Sequence, residues 1–249
     1  MSEETPVQAY KAVIAYDGTD FLGYQIQASG RTVQGVIEQT LQKILKTPTR
    51  ITGAGRTDSG VHAIGQVIAF KAHWHHPETA LQKALNANLP PDIVVQTLTT
   101  IHPSFHPRFD ARSRQYRYTI LNQPLPDVLR RRYTWHVPQP LDVDRMQRAS
   151  NFLLGTHDFA AFGQPPQGDN TVRTVTQAEW RQTGSEITFF ITANAFLYRM
   201  ARRIVGTMVL VGQGKMAVED VKHVLQTKNR AEAGAPASAA GLCLINVTY

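Results

Sequence analysis

Hydrophobic positions change period several times along the chain, and those changes outline its elements. Residues 9–16, apolar or aromatic except for Lys11, read as a strand ended by the Asp17-Gly18 turn. The period then lengthens over residues 33–46. Val33, Val36, Ile37, Leu41, Ile44 and Leu45 fall on one helical face, and Thr32 stands where a cap is needed. Residues 50–53 read as a short strand running into a glycine-rich turn, and 65–72 as a further strand. Residues 77–88 read as a helix with proline at a tolerated early position, and 93–99 as a strand.

The second half repeats that order of elements without repeating the sequence. Residues 112–121 read as a strand, and 143–154 as a helix capped by Asp142. Residues 172–182 and 186–194 form a hairpin around Thr183-Gly184-Ser185. A helix over 196–211 and a final strand over 242–248 complete the set. Before that last strand come an extra helix, 218–226, and an Ala/Gly/Pro/Ser-rich connector, 231–240. The predicted class is α+β: two βαββαβ halves, ferredoxin-like or RRM-like, joined side by side into one continuous, mixed but mainly antiparallel sheet. Helices flank that sheet and a cleft lies between the halves. The boundary falls in residues 101–110, rich in proline and histidine, so the halves are 1–104 and 105–249. Residues 164–170 read as a mobile loop.

Composition narrows the class. The 249 residues are 42% hydrophobic, enough for a folded core. The single cysteine, Cys243, excludes an intrachain disulfide framework and a cysteine-rich zinc site. It reads as a small buried residue of the last strand. Residues 1–7 are polar and acidic, and no apolar run of membrane-spanning length occurs, so a cytoplasmic protein with no membrane association is expected. A formal net charge of +7 is compatible with a polyanionic partner but does not by itself select one.

The densest polar signal is Gly53-Ala54-Gly55-Arg56-Thr57-Asp58-Ser59-Gly60-Val61-His62-Ala63. Its glycines permit unusual backbone angles and close approach of another chain. A dinucleotide fingerprint would need glycine at Asp58, and a Walker A loop would need Gly-Lys-Ser/Thr where Gly60-Val61-His62 stands. An acid at the centre would also repel phosphate. A tight turn capped by an aspartate is the plain structural alternative.

The run Gly-Arg-Thr-Asp-x-Gly-Val-His resembles the signature of the TruA family of tRNA pseudouridine synthases, and other segments match in the same order. They are Tyr16-Asp17-Gly18, Gly23-Tyr24-Gln25, Thr32-Val33-Gln34 and Asn86-Ala87-Asn88-Leu89-Pro90. Further along come Phe105 to Ala111, Arg114-Gln115-Tyr116-Arg117-Tyr118, Gly155-Thr156-His157-Asp158-Phe159 and the arginine-bearing stretch from Phe196 to Gly206. Departures fall at Arg199, Ala201, Arg203 and Cys243, outside the Arg-Thr-Asp core. The resemblance implies the pseudouridine synthase fold and isomerisation of uridine to pseudouridine in the anticodon stem-loop of tRNA, at nucleotides 38, 39 and 40. It implies Asp58 as catalytic carboxylate and Tyr116 as pocket tyrosine. Arg202 is implied to pair with the aspartate, and Arg56 to help hold the flipped-out position. It also implies a homodimer that needs no cofactor and no metal.

The residue types suit that chemistry. Glycosidic isomerisation needs one ionised carboxylate near C1′, acting as nucleophile there or as base at C2′. Arg202 sits at the flank of the apolar arc Leu197, Ala201, Ile204, Val205 and Met208, where a partly desolvated guanidinium calls for a carboxylate. Arg112, Arg114, Tyr116 and Tyr118 share one strand face, suited to phosphate contact and base stacking. Arg130-Arg131-Arg132, Arg199, Arg203 and Lys215 are candidate phosphate contacts. His62 reads as structural, orienting the loop by hydrogen bonding. His73-Trp74-His75-His76 lacks the acidic or cysteine complement of a metal site. The alternative from another class is a non-catalytic RNA-binding protein with paired RRM-like halves, which would have no use for Asp58.

Overall fold

The computed structural model describes residues 7–165 and 168–249. The first six residues of the acidic start, and 166–167 within the 164–170 loop, lie outside the described residues. Ten strands and five α-helices are present among those described. The chain divides into two compact units, one reaching Arg112 and including Leu244–Tyr249, the other Ser113–Cys243.

In the first unit, β1 (Gln8–Tyr16) pairs antiparallel with both β3 (His62–Ala72) and β4 (Ile93–Ile101). The short β2 (Thr52–Gly53) pairs with β3. The unit's part of β10 (Leu242–Thr248) lies beside β3. Alternation along β1 buries Tyr10, Ala12, Ile14 and Tyr16. Burying a side chain the size of isoleucine stabilises by about 1.5–3 kcal/mol. Register shifts interrupt β1 near its end, at Val13/Ile14 and Ile14/Tyr16. Such bulges increase twist and re-aim the chain. Helix α1 (Val33–Leu45) begins as expected, the Thr32 hydroxyl accepting from Gly35 N at 3.3 Å. It ends where Lys46 turns left-handed, φ 61°. Helix α2 (Glu78–Asn88) starts after Pro77 and buries Leu81 and Leu85.

In the second unit, β5 (Ser113–Leu121) pairs with β9 (Glu186–Ala193), β9 with β8 (Val172–Thr183), and β8 with β7 (Gly155–Asp158), all antiparallel. The short β6 (Trp135–His136) runs parallel to its neighbour, β5. Gly184, φ 58°, opens the two-residue turn between β8 and β9. Helix α3 (Val143–Asn151) is capped by the Asp142 carboxylate, which accepts from Arg145 N at 2.9 Å. Helices α4 (Met200–Gly212) and α5 (Asp220–Thr227) follow. The α+β class and the mainly antiparallel pairing are those the hydrophobic pattern predicted.

Strands β6 and β7 have no counterpart among the expected elements, and three expected elements shift by about three residues or more. Strand β3 begins at His62 rather than residue 65, because Ala63 already pairs with Tyr16. Helix α3 stops at Asn151, so that Gly155, φ 98°, can open β7. Helix α4 begins at Met200 instead of residue 196, since Arg199 is left-handed at φ 62° and Tyr198 bridges to Gln164. The i, i+4 relation of Leu197 and Ala201 imitates one more helical turn. Leu197 is buried, but from an extended segment.

Candidate active site

The sequence from Gly53 to His62 folds into a loop between β2 and β3, and the segment after β1 holds it in place. The Tyr16 hydroxyl and Thr57 Oγ1 lie 2.8 Å apart in a buried hydrogen bond. Tyr24 N donates to Thr57 O at 3.1 Å, and Gly60 N to Phe21 O at 3.3 Å. The Ser59 hydroxyl donates to the same Phe21 carbonyl at 3.1 Å. Val61 N donates to Asp58 O at 3.1 Å, closing a turn that leaves the Asp58 side chain partly exposed. Anchors therefore lie on both sides of Asp58, and its backbone is set before any substrate arrives.

His62 has the structural place expected of it. It is buried, and its Nδ1 accepts from Gly18 N at 3.0 Å. Asp17 Oδ1, 3.2 Å from the same nitrogen, accepts from Thr19 N and from the Thr19 hydroxyl. The other limb of the loop is tied to β3, Ala54 N donating to Val67 O at 2.8 Å and Gln66 Nε2 to Gly55 O at 2.8 Å. Tyr24 is buried against Gly53. Burial, with smaller effects from Tyr16 and Glu38, pushes its phenol well above the ordinary range, so it stays neutral. Arg56 is exposed.

Gly23 matters for a steric reason. Its φ is +100°, and a Cβ built there would meet Thr57 O at 2.9 Å, Ser59 N at 3.2 Å and Asp58 C at 3.3 Å. Only a residue without a side chain lets the chain press this closely on the Asp58 turn.

In the second unit, Tyr116 on β5 is 8% exposed and lies edge-on to Phe196, ring centroids 4.9 Å apart at 81°. Its neighbours on that face are packed rather than presented. Arg114 is buried and donates to Asn194 O at 2.8 Å. The Tyr118 hydroxyl donates to Ser238 O at 2.7 Å, and burial raises that phenol well above its usual range. The basic-aromatic face expected of β5 is thus, at Arg114 and Tyr118, a structural one.

Arg202, in the first turn of α4, is half-buried; its Nε donates to Ala237 O at 2.8 Å, while Ala237 N donates to Arg202 O at 2.9 Å. These bonds belong to a strap that sequence reasoning took for a connector. Gly234 N donates to the Thr207 hydroxyl at 2.9 Å, Arg203 Nη1 to Gly234 O at 3.2 Å, and a Cβ at Gly206 would sit 1.9 Å from Ala235 O. The small residues of 231–240 let backbone lie directly on a helix, and the matching glycine at 206 was the available signal. Among the other candidate phosphate contacts, Arg130 pairs with Glu186, whereas Arg131, Arg132 and Arg199 are exposed. Cys243 lies buried in β10, as expected.

Comparison with known proteins finds relatives over most of the chain. The family model described as tRNA pseudouridine synthase matches residues 12–110 and 149–249. The tRNA pseudouridine synthase A of Halalkalibacterium halodurans is 46% identical over 232 residues, 92% of this chain and 88% of that protein. That of Brevibacillus brevis is 44% identical, covering 96% and 98%, and that of Pseudothermotoga lettingae 40%, covering 98% and 100%. The chain belongs to the family of tRNA pseudouridine synthases, isomerases that convert uridine to pseudouridine.

Proposed function

We propose that this isomerase acts in the cytoplasm, as a cofactor-free homodimer, on the anticodon stem-loop of tRNA at nucleotides 38, 39 and 40. Asp58 is the essential carboxylate. Tyr116 is the pocket aromatic for the displaced uracil, Arg202 the cation that pairs with the carboxylate, and Arg56 a support for the flipped-out position. Family membership over most of the chain carries this reading, and the doubly anchored turn that presents Asp58 supports it.

The reaction is internally balanced. The N1–C1′ bond breaks, the uracil turns, and C5 bonds to C1′. The hydrogen on C5 is then lost and N1 gains one, so no oxidant, reductant or outside acceptor is needed. A carboxylate serves either by attacking C1′ or by taking a proton from C2′ to give a glycal.

The test is release of tritium from C5 of labelled, unmodified tRNA, by wild type and by Asp58→Asn, alongside tRNA affinity. Wild type should release label without added cofactor or metal. The variant should bind tRNA normally and release none. Wild-type turnover by the variant would remove the catalytic assignment, and loss of binding would shift Asp58 to recognition.

A further inference from the structure

The turn before β5 carries an aromatic pair that the chemistry above does not use. Phe109 is 74% exposed. The His106 ring stacks on it, centroids 4.1 Å apart and planes 25° from parallel. The Arg108 guanidinium lies 5.8 Å from the Phe109 centroid. A single exposed apolar side chain is ordinary. What sets this one apart is how firmly the turn holds it.

His106 Nδ1 accepts from both Arg108 N and Phe109 N at 3.2 Å. Two incoming donors make that nitrogen an acceptor and leave the ring proton on Nε2. Asp110 Oδ2 accepts from His106 N at 2.9 Å, and Asp110 N donates back to His106 O at 3.0 Å. The turn is also bound to the rest of its unit. The Tyr249 hydroxyl donates to Pro107 O at 2.8 Å, and Phe105 packs on the Tyr249 ring at 5.0 Å. Lys11 Nζ caps both rings, 5.7 and 5.2 Å from their centroids. A ring fixed in this way loses little further freedom when a ligand covers it.

The surroundings favour one kind of ligand. A guanidinium beside the ring, on a chain of net charge +7, opposes burial against an apolar patch or a second copy of the same turn. A nucleotide supplies both a π face for the phenyl and an anion for the arginine. We propose that Phe109, backed by His106, is a stacking platform for one unpaired base of the substrate RNA, with Arg108 beside its phosphate, and that this base is not the one isomerised. The inference rests on the tRNA-modifying reading for the identity of the RNA.

The test uses the full-length protein and unmodified tRNA. Phe109→Ala should raise Kd and KM roughly five- to 150-fold, the range of one base–aromatic stack, with the loss falling there and not on kcat. The dependence of Kd on salt should keep its slope, because the ring neutralises no phosphate. Phe109→Trp should restore affinity, and its added fluorescence should be quenched on tRNA binding. Wild-type affinity in Phe109→Ala, or Phe109→Trp emission that tRNA does not alter, overturns the proposal. So does a change in sedimentation of Phe109→Ala without RNA, which would assign the ring to a protein–protein contact. Failure of the catalytic reading is distinguishable, because it shows as absent tritium release in wild type while the Kd comparison still judges the platform.

Discussion

Gly23→Ala separates the positioning of the Asp58 turn from general stability. Two costs combine at this site. An L-residue at φ +100° is disfavoured by about 1–2 kcal/mol. The new methyl also meets Thr57 O at 2.9 Å, Ser59 N at 3.2 Å and Asp58 C at 3.3 Å, all backbone atoms that no rotamer change can move. Overpacking of that kind costs about 1–3 kcal/mol, so the total is roughly 2–5 kcal/mol. For a chain of this size that lowers Tm by about 4–20 °C. Gly184→Ala is the control, because φ is +58° there and nothing lies within 4 Å of the new Cβ. It carries the conformational cost alone, about 2–8 °C. Relieving the Gly23 contact pushes the Asp58 turn outward by about half an ångström. A 1 Å misplacement of reacting groups costs about 100-fold, so turnover at 25 °C should fall by about ten- to 100-fold. Tritium release well below Tm, with a thermal melt of each variant, reads both effects. Gly23→Ala turning over like wild type, or melting no lower than Gly184→Ala, would refute the reasoning.

Two further expectations concern the second unit. Burial alone would raise the Asp158 carboxyl, but hydrogen bonds from Thr171, Lys228 and Ala160 N, with the Lys228 charge, bring it below its ordinary range. A depressed folded value means that its stabilisation is complete above the unfolded pKa of about 3.9 and fades as pH falls through the lower folded value. Asp158→Asn should therefore flatten the dependence of Tm on pH below about pH 4, and parallel curves for the two proteins would contradict this. The Ser150 hydroxyl accepts from Trp180 Nε1 at 2.8 Å in a buried bond. Ser150→Ala should destabilise by about 1–3 kcal/mol in urea unfolding, the cost of a stranded donor, and an unchanged midpoint would show the bond to be dispensable.

Elements that rest on local periodicity were legible without coordinates. The Thr32 cap, the β8–β9 hairpin around Gly184 and the bounds of β10 follow from residue type and spacing, because caps, turns and alternation are decided within a few residues. The Gly-Arg-Thr-Asp run marked the loop for the same reason, since its residues are contiguous. What neighbours decide was not legible. Helix α4 starts late because Arg199 is held left-handed and Tyr198 is bridged to Gln164, a partner well back along the chain. The β5 face that reads as RNA-facing is instead closed at Arg114 by Asn194 O and at Tyr118 by Ser238 O. The 231–240 connector is a strap because Gly206 admits Ala235 O. Each of these depends on a contact between residues far apart in sequence, and local propensity yields when a buried backbone group must find its partner. Sequence alone determined which residues are the candidates for the chemistry, and tertiary structure alone decided how Thr57 and Gly60 are tied to Tyr16, Tyr24 and Phe21 so that Asp58 is held between them.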